Sequence, residues 1–207
     1  MTIPSFPNVR AAREAEWYLM ANTQTQTSPF DGTTQTVIMP GARWRGTATY
    51  LLQMADFRTL QAFMASLGGR GGRFLYGPPQ TARRATAAVP GPVQIDGAGQ
   101  TGTVVNLKGF PAATLVFEAG DWLSWPDADS RPQLHQVTAP VTSDGAGLAA
   151  VPIAPPIRHS GADSAAVEIT APTGVFMLIG DDQGRATQTG DQPGRGQISF
   201  EVIEAIV

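Results

Sequence analysis

The 207-residue chain contains no cysteine. That absence excludes disulfides, thiolate metal sites and cysteine nucleophiles, although it assigns no redox compartment by itself. Histidine is almost as scarce: His135 and His159 are the only two, and neither stands near a second ligand at metal-like spacing. No apolar run approaches the roughly 20 residues that a membrane helix needs. The opening Met-Thr-Ile-Pro-Ser-Phe-Pro lacks the charged and apolar sections of a signal peptide. A soluble chain made in the cytoplasm, with no membrane contact, metal or cofactor, is therefore expected. Positive charge is not in excess, since the formal net charge is -3, so there is no overall attraction for nucleic acid. No Gly-X-Ser-X-Gly elbow occurs. The acids offer no pair that sequence alone singles out as an acid/base couple, which leaves an enzyme the least supported class.

What is present is β patterning with one helix. From Gly41 to Phe74, Trp44, Ala48, Tyr50 and Leu52 share one side of an alternating strand while Arg43, Arg45, Thr47 and Thr49 share the other. Next, Phe57, Leu60, Phe63, Met64 and Leu67 recur at helical spacing. Asp56 is the expected N-terminal cap and Gly68 the left-handed stop, giving a helix over about 56–67. Gly68-Gly-Arg-Gly-Gly-Arg-Phe74 then turns into another strand. Strand, helix and strand make a packing unit with no catalytic pattern.

Between Pro79 and Pro172 the character changes: nine of the 17 prolines fall there and helical periodicity vanishes. Short strands are predicted at Val93–Ile95, Thr103–Leu107, Leu115–Phe117, Asp121–Trp125, Leu134–Val137, Leu148–Val151 and Val167–Ile169, separated by turn residues such as Asp96-Gly97, Asp144-Gly145 and Ser160-Gly161. Close spacing of short strands favours a small barrel or sandwich, with an OB-like barrel preferred. After Pro172, Val175–Ile179 reads as a strand and Gln197–Val207 alternates again. The fold class is thus mainly β. A β-sandwich-like domain with one helix, residues 1–84 plus 172–207, is interrupted by an inserted β-barrel at 85–171. Charge is polarised along the chain. Residues 1–84 carry nine arginines against four acids, while 85–207 carry five basic and thirteen acidic residues. Such polarity suits stacking, including against another copy.

A set of ordered motifs carries a resemblance. Asn22-Thr-Gln-Thr-Gln-Thr-Ser-Pro-Phe30, Thr34-Gln-Thr36, Pro40-Gly-Ala-Arg-Trp44, Leu60-Gln-Ala-Phe63, Leu67-Gly-Gly-Arg-Gly-Gly-Arg-Phe74, Gly120-Asp-Trp-Leu123 and Pro155-Pro-Ile-Arg158 resemble the distal tail proteins of long-tailed bacteriophages. The resemblance spans most of the chain, and its N-terminal half is the more specific. It implies a structural adaptor without enzymatic activity, a homohexameric ring at the virion tail tip that joins the tail tube protein to the baseplate hub protein. DNA would meet such a ring only as cargo in the lumen. In that family a β-sandwich-like domain with one helix builds the ring and an inserted OB-like or galectin-like domain projects outward. No catalytic residue is carried over from it.

Several motifs have plainer readings beside the sharper ones. Gly68–Phe74 follows a helix and lacks the Lys-Ser/Thr of a phosphate loop, and two Arg-Gly-Gly-like repeats are too few for an RNA-binding array. Arg70 and Arg73, with Arg43 and Trp44, are candidates for an intersubunit interface or a basic lumen. Gly180-Asp-Asp182 echoes a polymerase metal motif, yet a hairpin turn explains it. His135, inside an apolar run, reads as a satisfied or surface strand histidine. Trp122 and Trp125 beside Asp121, Asp127 and Asp129 could form a sugar-stacking shelf, the basis of an alternative function as a carbohydrate-binding module at the host surface. The plainer reading puts the two rings on opposite faces, one buried and one packing on a loop. An OB-type single-strand binder fits poorly, because three basic and eight acidic residues at 85–171 would repel phosphate. Finally, the Thr/Gln alternation of Thr23–Thr27 has no apolar face, which suggests an edge strand, a ring seam or a solvated arm.

Overall fold

The computed structural model describes residues 3–79, 82–188 and 194–206. Up to residue 73 it has strands β1 (Glu14–Met20), β2 (Thr23–Thr27), β3 (Thr34–Ile38) and β4 (Arg43–Gln53), then helix α1 (Met54–Ser66). There follow β5 (Phe74–Tyr76), β6 (Val93–Ile95), β7 (Gly102–Lys108), β8 (Leu115–Phe117) and β9 (Trp122–Pro126). Next come β10 (Pro132–Val137), β11 (Val141–Thr142), β12 (Leu148–Ile157) and β13 (Ala166–Val167). The chain ends with β14 (Gly174–Leu178), β15 (Arg185–Thr187) and β16 (Arg195–Glu204). The protein is mainly β with one α-helix among the described residues. Val207, the end of the last expected strand, lies outside the described residues. Residue contacts divide the chain into two compact units, Met1–Phe6 with Phe74–Val175 and Pro7–Arg73 with Phe176–Val207.

In the second of these, β1, β4, β16 and β14 lie side by side in an antiparallel sheet, with β15 also paired to β16. The alternation of β4 becomes strict burial: Trp44, Ala48, Tyr50 and Leu52 are buried, while Arg43, Arg45, Thr47 and Thr49 are half-exposed. Ile198, Phe200 and Val202 of β16 continue the apolar face, and the Tyr50 and Phe200 rings stack 5.8 Å apart. Helix α1 covers this layer with Phe57, Leu60 and Met64, and Leu67 just beyond it is buried too. A Cβ on Gly196 would lie 2.3 Å from the Phe57 ring, so the helix approaches β16 where that strand has no side chain. Phe63, expected in the core, is half-buried instead.

The helix starts two residues before Asp56. Its N-cap is Gln53, which makes no side-chain cap bond, and Asp56 sits within the first turn. The reason is a backbone partner: the Met54 N–H donates to the Gly194 carbonyl at 3.0 Å, so a terminal donor is satisfied without a capping side chain. Asp56 still lies favourably near the positive end of the helix dipole. The stop is as expected, with Gly68 at φ +63° following Leu67.

The first unit is a small barrel. Its sheet runs β13-β6-β7-β12-β10-β9, and a bridge between Ser124 of β9 and Glu168 after β13 brings the outer strands together, leaving the sheet nearly closed. Six strands take part, where an OB barrel has five. Val93, Ile95, Val105, Leu107, Leu123 and Val151 fill the interior, and Phe110 and Phe117 meet edge to face at 5.6 Å. Strand β12 runs through Pro152, Pro155 and Pro156 because its register on β7 shifts between Pro152 and Ile157, which relieves the ladder of the missing donors.

Candidate interaction surface

The residues proposed for contact lie within the helix-backed unit, and the structure treats them differently. Trp44 is a core residue whose backbone N–H donates to the buried Glu204 carboxylate at 3.1 Å. Arg43, on the opposite face of β4, is half-buried with its Nε enclosed. Arg70 is exposed, and its backbone N–H is held by Asp181 at 2.9 Å. Arg73 is committed to its own loop: Nη1 donates to the carbonyls of Arg70, Gly71 and Gly72. It works as a clamp on the turn after α1. Arg45 pairs with Glu201 at 2.9 Å on the partly exposed face, a contact worth no more than about 1 kcal/mol at such exposure.

The sugar-shelf reading of Trp122 and Trp125 is overturned. Trp125 is 1% exposed and belongs to the barrel core, while Trp122 on the other face of β9 is 8% exposed. Stacking on a sugar needs an open ring face, and neither ring offers one. Trp125 instead stacks on His135, with centroids 4.2 Å apart and planes 3° from parallel. His135 is fully buried and its Nδ1 lies 2.9 Å from the Pro155 carbonyl, so Nδ1 carries the proton and donates. Burial, with the Arg158 charge adding to it, pushes the His135 pKa down to about 3. His159 is tied through its backbone to Gln133. Among the described residues no three His, Asp or Glu side chains are grouped to hold a metal. Gly180-Asp-Asp182 leads into a turn in which Asp182 pairs with Arg185 at 2.9 Å, but it is not the expected hairpin: β14 and β15 both pair antiparallel with β16, so the segment links two pieces that follow the same partner strand.

What stands out is the Thr/Gln segment. β2 pairs with β3 in register from Thr23↔Ile38 to Thr27↔Thr34, forming a two-stranded sheet of its own. It continues the β1–β4 pairing beyond the main sheet, since Met20 faces Arg43 and, after a short waist, Thr23 faces Ile38. Two bonds fasten the waist, Met39 N–H to the Asn22 carbonyl at 2.7 Å and Asn22 Nδ2 to the Pro40 carbonyl at 2.8 Å. Every residue from Ala21 to Pro40 except Ser28 is exposed. By strand alternation Thr23, Thr25 and Thr27 share a face with Thr34, Thr36 and Ile38, and Gln24 and Gln26 share the other with Gln35 and Val37. Neither strand carries a charge or a proline, the usual devices that keep an open edge from pairing.

The tip is ordered by short bonds. Ser28 N–H donates to the Thr33 carbonyl at 2.8 Å, Gly32 N–H to the Ser28 carbonyl at 3.1 Å, and the Thr33 N–H and hydroxyl both donate to Asp31 Oδ1. These partners, the Ser28 hydroxyl foremost, hold the Asp31 carboxyl down at about 2, so it is ionised at neutral pH. The same turn presents Phe30 with 97% of its surface exposed. Sequence reading found the polar alternation of β2 but not this aromatic knob, which only the turn geometry displays. No protein-family model matches the chain, and no curated protein matches it.

Proposed function

We propose that the protein is a structural subunit of a phage tail tip, a ring-forming adaptor between the tail tube and the baseplate hub. The carrying observation is the β2–β3 hairpin. A lone two-stranded hairpin is marginal in water, and this one has no core, open edges, uncharged strands and an aromatic tip. Such an arm is suited to pairing with a neighbouring chain, by adding strands to an open edge or laying side chains on its surface. A contact between unlike patches of identical chains generates a ring when the rotation closes, which is the form an adaptor between two tubular parts requires. The ordered motifs from Asn22 to Phe74 that resemble distal tail proteins include this arm and the helix-backed sheet from which it extends.

In this reading the sheet and α1 give a rigid platform and the arm makes the intersubunit contact. Six copies enclose a lumen through which DNA passes, and the site of action is the virion tail tip. The test is particle mass and symmetry of the purified chain, by mass photometry and negative-stain averages, beside a variant in which residues 23–38 are replaced by a short Gly-Ser linker. Rings of one symmetry are expected for the intact chain, with monomers for the shortened one. Rings of equal stability without the arm would remove the observation on which the proposal rests.

A further inference from the structure

The barrel unit carries a cleft of about 560 Å³ between the segment 82–92 and the chain from Ala166 to Thr170. Its volume falls in the range of about 300–1,000 Å³ seen for pockets that bury a ligand. Val89 and Ile169 rest against the barrel core yet remain half-exposed along the cleft, beside Ala85 and Pro92. Arg83 also lines it, with its guanidinium bound by the carbonyls of Val116 and Ala87 rather than by an acid. The exposed Arg84 next to it makes a loose 3.9 Å side-chain contact with Glu118 among the described residues. Among the described residues Glu168 is the one acid in the lining, and its carboxylate is turned to the backbone N–H groups of Thr170 and Ala171 at 2.7 and 3.0 Å.

A knob and a cleft of matching character therefore exist on the same chain. Phe30 is a large apolar side chain in water, and burying an aromatic removes about 150–250 Å² of surface. Asp31 beside it is a fixed negative charge, and the cleft has arginines at its rim. We propose that the hairpin tip of one copy docks in the cleft of a second copy, Phe30 entering between Val89 and Ile169 while Asp31 faces Arg83 and Arg84. The inference rests on the self-assembly reading above and deepens it by naming the occupant and the receiving residues. The contact is heterologous, so each copy gives one knob and offers one cleft. Anchors of this kind, an aromatic in a desolvated pocket, carry most of the energy of an interface, and the Thr and Gln faces behind the tip supply area toward the roughly 1,000 Å² that a specific interface needs.

Complementation of two damaged full-length chains tests it. Phe30→Ser removes the knob and keeps the cleft; Ile169→Glu spoils the cleft and keeps the knob, with Val89→Ser as a second cleft variant should Ile169→Glu unfold by circular dichroism. Self-association, measured by sedimentation velocity over a concentration series, should fall at least tenfold for either variant alone. An equimolar mixture should recover dimers, because one sound knob then meets one sound cleft. Asp31→Lys should weaken association by a smaller factor. A cleft variant that associates like the parent overturns the proposal, and so does a parent chain that stays monomeric throughout. Rings that persist in both damaged variants would overturn the knob in the cleft while leaving the ring-forming adaptor intact.

Discussion

Strands β4 and β2 both alternate with period two, and they end in opposite environments. β4 reads Arg-Trp-Arg-Gly-Thr-Ala-Thr-Tyr-Leu-Leu-Gln and every second residue is buried; β2 reads Thr-Gln-Thr-Gln-Thr and nothing is buried. The period sets which side chains share a face, but only the chemistry of one face decides whether a strand joins a core. In β4 the inward set is apolar; β16 extends the same face beside it and α1 covers both. In β2 both sets are polar, so leaving the sheet costs the strand nothing in burial. The chain has thereby placed a stabilising layer and a free arm on one continuous hairpin.

The strongest way to break the comparison is to remove the apolar content of the buried face. Phe200→Ala or Leu60→Ala should each cost about 3–5 kcal/mol, since both are fully enclosed between sheet and helix and leave a cavity. Chemical denaturation followed by circular dichroism reads this directly. A loss below about 1 kcal/mol in both would mean that the face is not the packed layer described.

The barrel offers a second contrast, a buried polar ring in place of an exposed one. His135 is neutral in the folded state with its pKa lowered to about 3, while in the unfolded chain it titrates near its ordinary 6.5. Because the unfolded state takes up the proton first, stability is full above pH 6.5 and falls as pH drops through that value toward 3. At about 1.4 kcal/mol per pH unit, acidifying from 6.5 to 4.5 should cost about 2–3 kcal/mol. Asp31 and Asp163, whose pKa values are also lowered, to about 2, contribute mainly below that window. His135→Phe preserves a flat partner for Trp125 and should abolish this slope despite losing the bond to Pro155. An unchanged slope in the variant would place the pH dependence elsewhere.

Gly196→Ala sharpens the comparison at a single methyl. Overpacking where the new Cβ meets the Phe57 ring should destabilise the helix-backed unit by about 1–3 kcal/mol, and Phe57→Leu in the same chain should recover part of it. Non-additivity in that double-mutant cycle is the measurement, and simple additivity would show that the helix does not press on β16 at that point.

Much of the buried framework was legible because period and turn chemistry reinforce each other there. Leu115–Phe117 and Val93–Ile95 form where the alternation and flanking turns place them, and Gly68 stops the helix by its left-handed φ. Other features lay outside local pattern. Gln53 needs no capping side chain because a carbonyl 141 residues away, at Gly194, accepts from Met54. β1 has little burial contrast, with Glu14 to Glu16 all exposed, and is held by its pairing with β4 and by Trp17, whose ring meets Phe176 edge to face at 5.2 Å. β12 outruns its expected end at Val151 because a register shift accommodates its prolines. Phe30 had no periodic signal at all, since a residue at a turn shares a face with nothing.

The smallest expected effect on folding is the one that separates the arm from the core most cleanly. Phe30→Ser removes a large aromatic, a change that costs several kcal/mol in a packed interior. At the hairpin tip the ring is almost wholly in water, and the bonds that order the turn come from Ser28, Asp31, Gly32 and Thr33, not from its side chain. The free energy of unfolding should therefore change by less than about 0.5 kcal/mol, the range of surface substitutions without a structural role. The melt must be taken at a concentration where the parent is dispersed, because any neighbour that buries the ring adds stability by mass action. Repeating the comparison at high concentration turns the same variant into a second measurement: the parent should gain thermal stability with concentration and Phe30→Ser should gain less. A loss comparable to Phe200→Ala in dilute solution would mean that the arm is part of a core after all, and the division between packed strand and free arm would fail.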